Sequence, residues 1–211
     1  MTDGAMPSSL PLPGYGAARK GTVMRKIVFM MSVSLDGFFE GPDRELDWQL
    51  VDVELHQHFN EWLATAGAFL DGRVTYELMA GYWPAADQDP GASAPEIEFA
   101  GIWRDMPKIV FSRTLERADW NTTIVRDVDP EEIHKLKAQP GGDMVVGGAD
   151  LAAAFRALDL IDEYRIYVQP VLLGRGRPLF QPSDVTTRLR LAETRAFGNG
   201  VVLLRYERPR D

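Results

Sequence analysis

The 211 residues contain no cysteine. That excludes disulfides, thiolate nucleophiles, iron–sulfur clusters and cysteine-ligated zinc. Histidine is nearly as scarce, with His56, His58 and His134 the whole set. The first two lie two apart on a helical pattern and face different ways, and the third falls in another segment. No pair has chelating spacing, so no metal is expected. Excess positive charge is missing too. Lys plus Arg is 23 against 31 Asp plus Glu, a formal net charge of -8. Such a surface is a poor partner for nucleic acid or anionic membrane, both of which need clustered positive charge. Any phosphate-bearing ligand must therefore be held by a local site. No apolar run approaches the roughly 18 residues of a membrane span. The N-terminus lacks the charged n-region and apolar run of a secretory signal. A cytoplasmic protein is expected. Internal repeats, coiled-coil heptads and a G-x-S-x-G nucleophile elbow are likewise missing.

What is present is the composition of a soluble globular chain, 45% hydrophobic and 26% charged. Its length suits one domain. Residues 1–23 are rich in Pro, Gly, Ser and Ala and carry no apolar period, which predicts a disordered tail or an artificial extension. Met24 reads as a natural start. Without that tail, one acid (Asp3) and two bases (Arg19, Lys20) fewer, the domain 24–208 retains the acidic balance.

Within the domain, 26–33 (KIVFMMSV) is a nearly unbroken apolar run and predicts a buried strand. A turn-rich loop with Gly37, Gly41 and Pro42 follows. From Trp48, the residues Leu55, Phe59, Trp62, Leu63 and Ala66 fall on one helical face, ended by Gly67. AFLDG predicts a short strand and 73–82 a short helix, whereas 84–101, rich in Pro, Gly, Ala and acid, predicts a surface loop. KIVFS (108–112) and NTTIVRDV predict strands. Asp129-Pro130-Glu131-Glu132 opens a helix with an N-cap Asp, an N1 proline and an acid at N3. DMVVGG predicts a strand, ADLAAAFRAL a helix and EYRIYVQPVLL a long strand. RLRLAETRAF and VVLLRYER flank Gly198-Asn199-Gly200, a hairpin signal. Strands alternating with helices predict an α/β three-layer sandwich, with a mostly parallel central sheet and an antiparallel C-terminal hairpin.

Ligands of open parallel sheets bind at the carboxyl ends of the strands. Three such ends carry small residues, hydroxyls or Arg: Gly72-Arg73-Val74-Thr75, Ser112-Arg113-Thr114 and Gly147-Gly148-Ala149-Asp150. Amides and dipoles at helix N-termini favour phosphate, and Arg adds a bidentate fork. Taken together, the three predict an extended phosphorylated ligand across the sheet edge. The G-x-G-x-x-G dinucleotide fingerprint does not follow the first strand.

The ordered set VFMMSVSLDGFFEGPDRELDW, FLDGRVTYELM, KIVFSRT, MVVGGADLAAAF and VQPVLLGRGRPLF resembles the dihydrofolate-reductase-like superfamily, from about Met24 to Arg208. Within it, the resemblance is to the branch of the C-terminal reductase domain of the riboflavin-biosynthesis deaminase-reductase and its stand-alone relatives. The resemblance implies a nicotinamide cofactor, NADPH, and a homodimer. It places Gly72, Arg73 and Thr75 on the cofactor phosphates. Ser112, Arg113 and Thr114 lie by the adenosine ribose and its 2′-phosphate, and Gly147, Gly148 and Ala149 under the pyrophosphate. Arg73 and Arg113 would read the 2′-phosphate. On the substrate side, Trp48-Gln49-Leu50 matches a family motif. The acid expected on the following helix falls on Val53, however, with Asp52 and Glu54 flanking it, which argues against dihydrofolate as substrate. Asp36 and Asp52 are the candidate catalytic acids. Trp48, Tyr76 and Gln169 are candidate substrate contacts, with Phe38 and Trp83 as further aromatic wall. The implied function is an NADPH-dependent reductase transferring a hydride to a small pterin- or pyrimidine-like heterocycle. The alternatives are the riboflavin-pathway pyrimidine reductase, with Arg175 and Arg177 on a substrate phosphate, and a non-catalytic nucleotide- or metabolite-binding protein.

Overall fold

A computed structural model describes residues 24–182 and 186–209. The expected disorder of 1–23 lies outside the described residues. An eight-stranded sheet forms the middle layer. Its strands are β1 (Ile27–Ser34), β3 (Ala68–Gly72), β4 (Lys108–Phe111), β5 (Thr122–Val125), β6 (Met144–Gly147), β7 (Glu163–Gln169), β9 (Arg190–Ala196) and β10 (Val202–Glu207). The order is β5-β4-β3-β6-β1-β7-β10-β9, with β10 the strand that runs against the others. Two short strands, β2 (Phe38–Glu40) and β8 (Arg177–Pro178), pair separately. They are too short to show a period in sequence.

Alternating side chains of the central strands feed two cores, as the pleat requires. Phe29, Leu70 and Val146 point to one face, where α4 (Pro130–Ala138) and α5 (Ala149–Ala157) cover them with Ile133, Leu151 and Phe155. On the other face, Phe69 and Val145 meet α1 (Val53–Leu63), α2 (Arg73–Tyr82) and α3 (Ala94–Asp105), through Leu63, Tyr76, Phe99 and Trp103. Three layers with a mostly parallel sheet and a C-terminal antiparallel hairpin are therefore the architecture.

Two segments depart from the sequence expectation. The helix expected from Trp48 starts at Val53. Asp52 caps it by accepting the Leu55 N–H at 2.9 Å. Residues 49–52 stay out of the helix because the Leu50 N–H is taken by Gln169 Oε1 at 2.9 Å. The stretch 84–101 is no loop: a 3₁₀ turn (Trp83–Gln88) leads into α3. Its first turn explains the misleading composition. Ser93 and Glu96 form a capping box and Pro95 sits where its missing N–H costs nothing. Behind that polar start, Phe99, Ala100 and Trp103 are buried. The long strand EYRIYVQPVLL stops at Gln169, since Pro170 has no N–H for the ladder.

The strand order creates a switch point. The chain skips from β1 to β3, builds outward to β5, and returns to insert β6 between β3 and β1. Helices α1 and α2 leave toward one face and α5 toward the other, which opens a crevice above β1, β6 and β3.

Candidate functional site

That crevice is a cavity of about 820 Å³. Its walls are mostly apolar, with Phe59 and Leu63 from α1, Met79 from α2 and Phe99 and Trp103 from α3. Trp83 and Tyr82 also line it. The polar groups converge from strand ends and helix starts: Ser32, Asp71, Thr75, Gly147 and Asp52.

The glycine and hydroxyl cluster is tightly interlocked. A Cβ on Gly147 would overlap a carboxylate oxygen of Asp71, and one on Gly148 the Thr75 hydroxyl. Gly148 also holds φ at +85, a conformation that favours glycine. So α2 and α5 begin side by side, on strands whose register pairs Asp71 with Gly147. Neither helix has a side-chain N-cap: Gly72 and Gly148 occupy those positions. Their first amides are left for other partners. Free amides of this kind suit an anion. Of the residues expected beneath a pyrophosphate, Thr75 and Gly147 line the cavity, whereas Gly72, Gly148 and the buried Ala149 lie in the adjoining helix starts and not in its lining.

The two arginines expected to read a 2′-phosphate follow the ends of adjacent strands, β3 and β4. Both are exposed and each has a carboxylate. Arg73 pairs with Glu77 at 2.9 Å and Arg113 with Asp127. Ser112 is buried, and its hydroxyl caps the turn by accepting the Thr114 and Leu115 N–H groups at 3.2 and 2.9 Å. Thr114 is exposed.

The remaining predicted residues are dispersed. Asp52 lines the cavity, with one carboxylate oxygen spent on the helix cap. Asp36 does not line it. Its side chain accepts from Ser34 Oγ at 2.6 Å and from the Leu173 and Gly174 N–H groups at 3.1 and 2.7 Å. Those bonds hold its carboxyl below the usual range and fasten loop 171–176 to the end of β1. Trp48 lies outside the cavity lining and donates from Nε1 to the Glu45 carbonyl at 3.1 Å. Tyr76 is core: it stacks near Trp103, donates to the Asp119 carbonyl at 3.1 Å and accepts the Asp119 N–H at 3.0 Å. Gln169 is fully buried beneath the site, where it holds Leu50 and approaches Ser32 Oγ at 3.4 Å. It shapes the wall from behind. Phe38 is absent from the lining while Trp83 is part of it. Arg177 is committed to Glu40 and Asp150, both at 2.7 Å.

Sequence reasoning named neither Asp71 nor Glu96 as a site residue and weighed His56 only as a metal ligand. Asp71 is 5% exposed, and burial pushes its carboxyl up to about 7 against the pull of Lys108. Its signal was an acid ending an otherwise apolar strand, AFLDG. Lys108 is itself buried. It donates to the carbonyls of Trp103, Met106 (2.8 Å) and Trp120 (3.0 Å), and lies over the Trp103 ring. Burial lowers it to about 8. His56 packs edge-on to Trp83, and burial lowers its pKa. Nothing local in the sequence shows that these groups converge.

Comparisons with known proteins show the family and the fold. The family "RibD C-terminal domain" matches residues 25–203. The chain is 37% identical to the uncharacterized protein YyaP of Bacillus subtilis over 183 residues, covering 86% of this chain and 94% of that protein. A pyrimidine reductase-like protein from Corynebacterium diphtheriae superposes with a TM-score of 0.58 at 16% identity, over 93% of this chain and 97% of that one. A diaminohydroxyphosphoribosylaminopyrimidine deaminase/5-amino-6-(5-phosphoribosylamino)uracil reductase from Thermotoga maritima superposes at 0.62 with 16% identity, over 88% of this chain but 57% of that one. At these identities the two structures speak for the fold alone.

Proposed function

Because the chain belongs to the RibD C-terminal domain family, we propose that it is an NADPH-dependent reductase acting on a small pterin- or pyrimidine-like heterocycle. The observation that carries this reading is the cavity itself. At about 820 Å³ it is large enough for two ring systems, and its apolar chamber reaches Thr75 and Gly147, which neighbour the uncapped starts of α2 and α5. When bound, the cofactor supplies hydride transfer from its nicotinamide ring.

The residues of this chain do the rest. The amides opening α2 and α5 hold the pyrophosphate. Arg73 and Arg113 exchange their exposed carboxylates for the 2′-phosphate, a small loss because exposed ion pairs contribute on the order of 0–1 kcal/mol. Phe59, Phe99 and Trp83 exclude water from the reacting rings. Asp52 offers its second carboxylate oxygen to an N–H of the substrate. The riboflavin-pathway substrate is a weaker reading, since Arg177, one of the two bases for its phosphate, is already engaged by Glu40 and Asp150.

Calorimetric titration with NADPH and NADH tests the proposal. Binding of NADPH is expected, followed by its oxidation with at least one member of a pterin and pyrimidine panel. Absence of binding by both nucleotides sinks it. Binding with no turnover on any substrate points to a sensor instead. Arg113→Ala is expected to weaken NADPH by about tenfold or more and NADH little, the worth of a charge-assisted contact. Equal losses would mean that Arg113 does not read the 2′-phosphate.

A further inference from the structure

Asp71 is the buried acid that the functional reading leaves unused. It sits at the carboxyl end of β3, two residues before the start of α2. Its carboxylate packs over Gly147, beside Thr75, between the uncapped N-termini of the 10-residue α2 and the 9-residue α5. It is 5% exposed and lines the cavity, and no hydrogen-bond donor among the described residues reaches it. A buried carboxyl with no partner is costly unless something supplies one. The three other long helix starts, α1, α3 and α4, are satisfied by Asp52, Ser93 with Glu96, and Asp129. The starts of α2 and α5 are thus the two long helix starts without such a partner, and the Asp71 carboxyl lies beside them.

The surrounding charges decide which form of Asp71 a ligand meets. From β4, Lys108 is the cation that acts on it, but its ammonium is spent on three carbonyls. α2 presents the neutral Thr75, and β6 presents backbone only. α1 contributes His56 and Asp52 to the cavity wall, and α3 contributes Glu96, bound by Ser93. A phosphate drawn to the two helix starts would therefore meet a carboxyl whose charge nothing adjacent fully neutralises. An ionised carboxylate there repels it, whereas a protonated one donates a hydrogen bond to it.

We propose that Asp71 is a ligand-binding acid of the phosphate cradle, entering the complex protonated and donating its hydrogen bond to a phosphate oxygen of the bound nucleotide. This rests on the nucleotide reading above. The proton comes from solvent, so binding takes up a proton wherever the free protein's Asp71 is ionised. Burial already brings that group to about 7, which places the effect in an accessible range.

Calorimetry with NADH, in two buffers of different ionisation enthalpy at several pH values, tests this. NADH is the cleaner probe because the 2′-phosphate of NADPH ionises with a second pKa near 6. For the wild-type protein, uptake close to one proton is expected at pH 8, and affinity falls about tenfold per pH unit above 7. Asp71→Asn keeps the shape and a donor but cannot ionise. It is expected to bind without proton uptake, with a flat pH profile and more tightly than wild type at pH 8. Lys108, which burial lowers to about 8, also titrates in this range, and the variant separates it from Asp71. Binding by wild type without proton uptake at pH 8, or an Asp71→Asn profile as steep as wild type, overturns the assignment while leaving the nucleotide site standing. Absence of nucleotide binding at every pH overturns both. If Asp71→Asn fails to fold, Asp71→Ser takes its place: loss of the proton uptake supports the assignment, and uptake equal to that of wild type overturns it.

Discussion

Asp71 and Lys108 put two ionisable groups inside an apolar sheet face, and they differ in how they are satisfied. Lys108 has three carbonyls and the face of Trp103, whereas Asp71 has the distant attraction of Lys108 alone. Raising a carboxyl from 3.8 to about 7 on folding is a stability cost with a defined pH window. Below 3.8 both folded and unfolded chains carry the proton and there is no cost. The cost grows as pH rises toward 7, because the unfolded chain ionises and the native one does not, and it is constant above 7. Asp71→Asn removes it. The variant's stability advantage in urea titrations is expected to grow between these limits and then level, reaching on the order of 4 kcal/mol. A pH-independent difference would show that the native carboxyl is not held protonated.

At the scale of elements, α3 shows where composition misleads. Its Pro, Ala and acid residues read as loop, yet Ser93 and Glu96 close a capping box and Phe99 and Trp103 complete a cavity wall. The S-x-x-E spacing was present in the sequence, but helical periodicity behind it was weak, since the helix packs on α1 and the 3₁₀ turn together. Ser93→Ala is expected to lower stability by about 1 kcal/mol in denaturant titrations. It should also loosen the wall and weaken ligand binding in the cavity. The N-terminus of α1 is the converse case. Apolar spacing placed the helix correctly but began it too early, because the bond from Leu50 to Gln169, 119 residues away, halts it at Asp52.

Across the whole molecule, the insertion of β6 between β3 and β1 does two things. It buries β6 and β1 in the middle of the sheet, and it brings the ends of β3, β6 and β1 to one crevice. Stability is then graded from centre to edge. Amides of β1 and β6 are expected to be the slowest to exchange in hydrogen-exchange measurements, and those of β5 and the largely exposed β9 among the fastest. Uniform protection across the sheet would contradict the layered core. Among the described residues no helix is long and apolar enough to cross a membrane.

The sequence by itself determined the eight strands of the central sheet, most helices and the three-layer class, because period, capping and turn residues are local signals. It also determined the glycine and arginine segments at three strand ends, whose spacing needs only the strand boundary. Which of those residues face one cavity was decided by strand order and pleat parity, which are properties of distant pairing. That is why Tyr76 went into the core beside Trp103 and Asp36 into a loop anchor. It is also why Asp71, unremarked in AFLDG, became the acid between two helix N-termini.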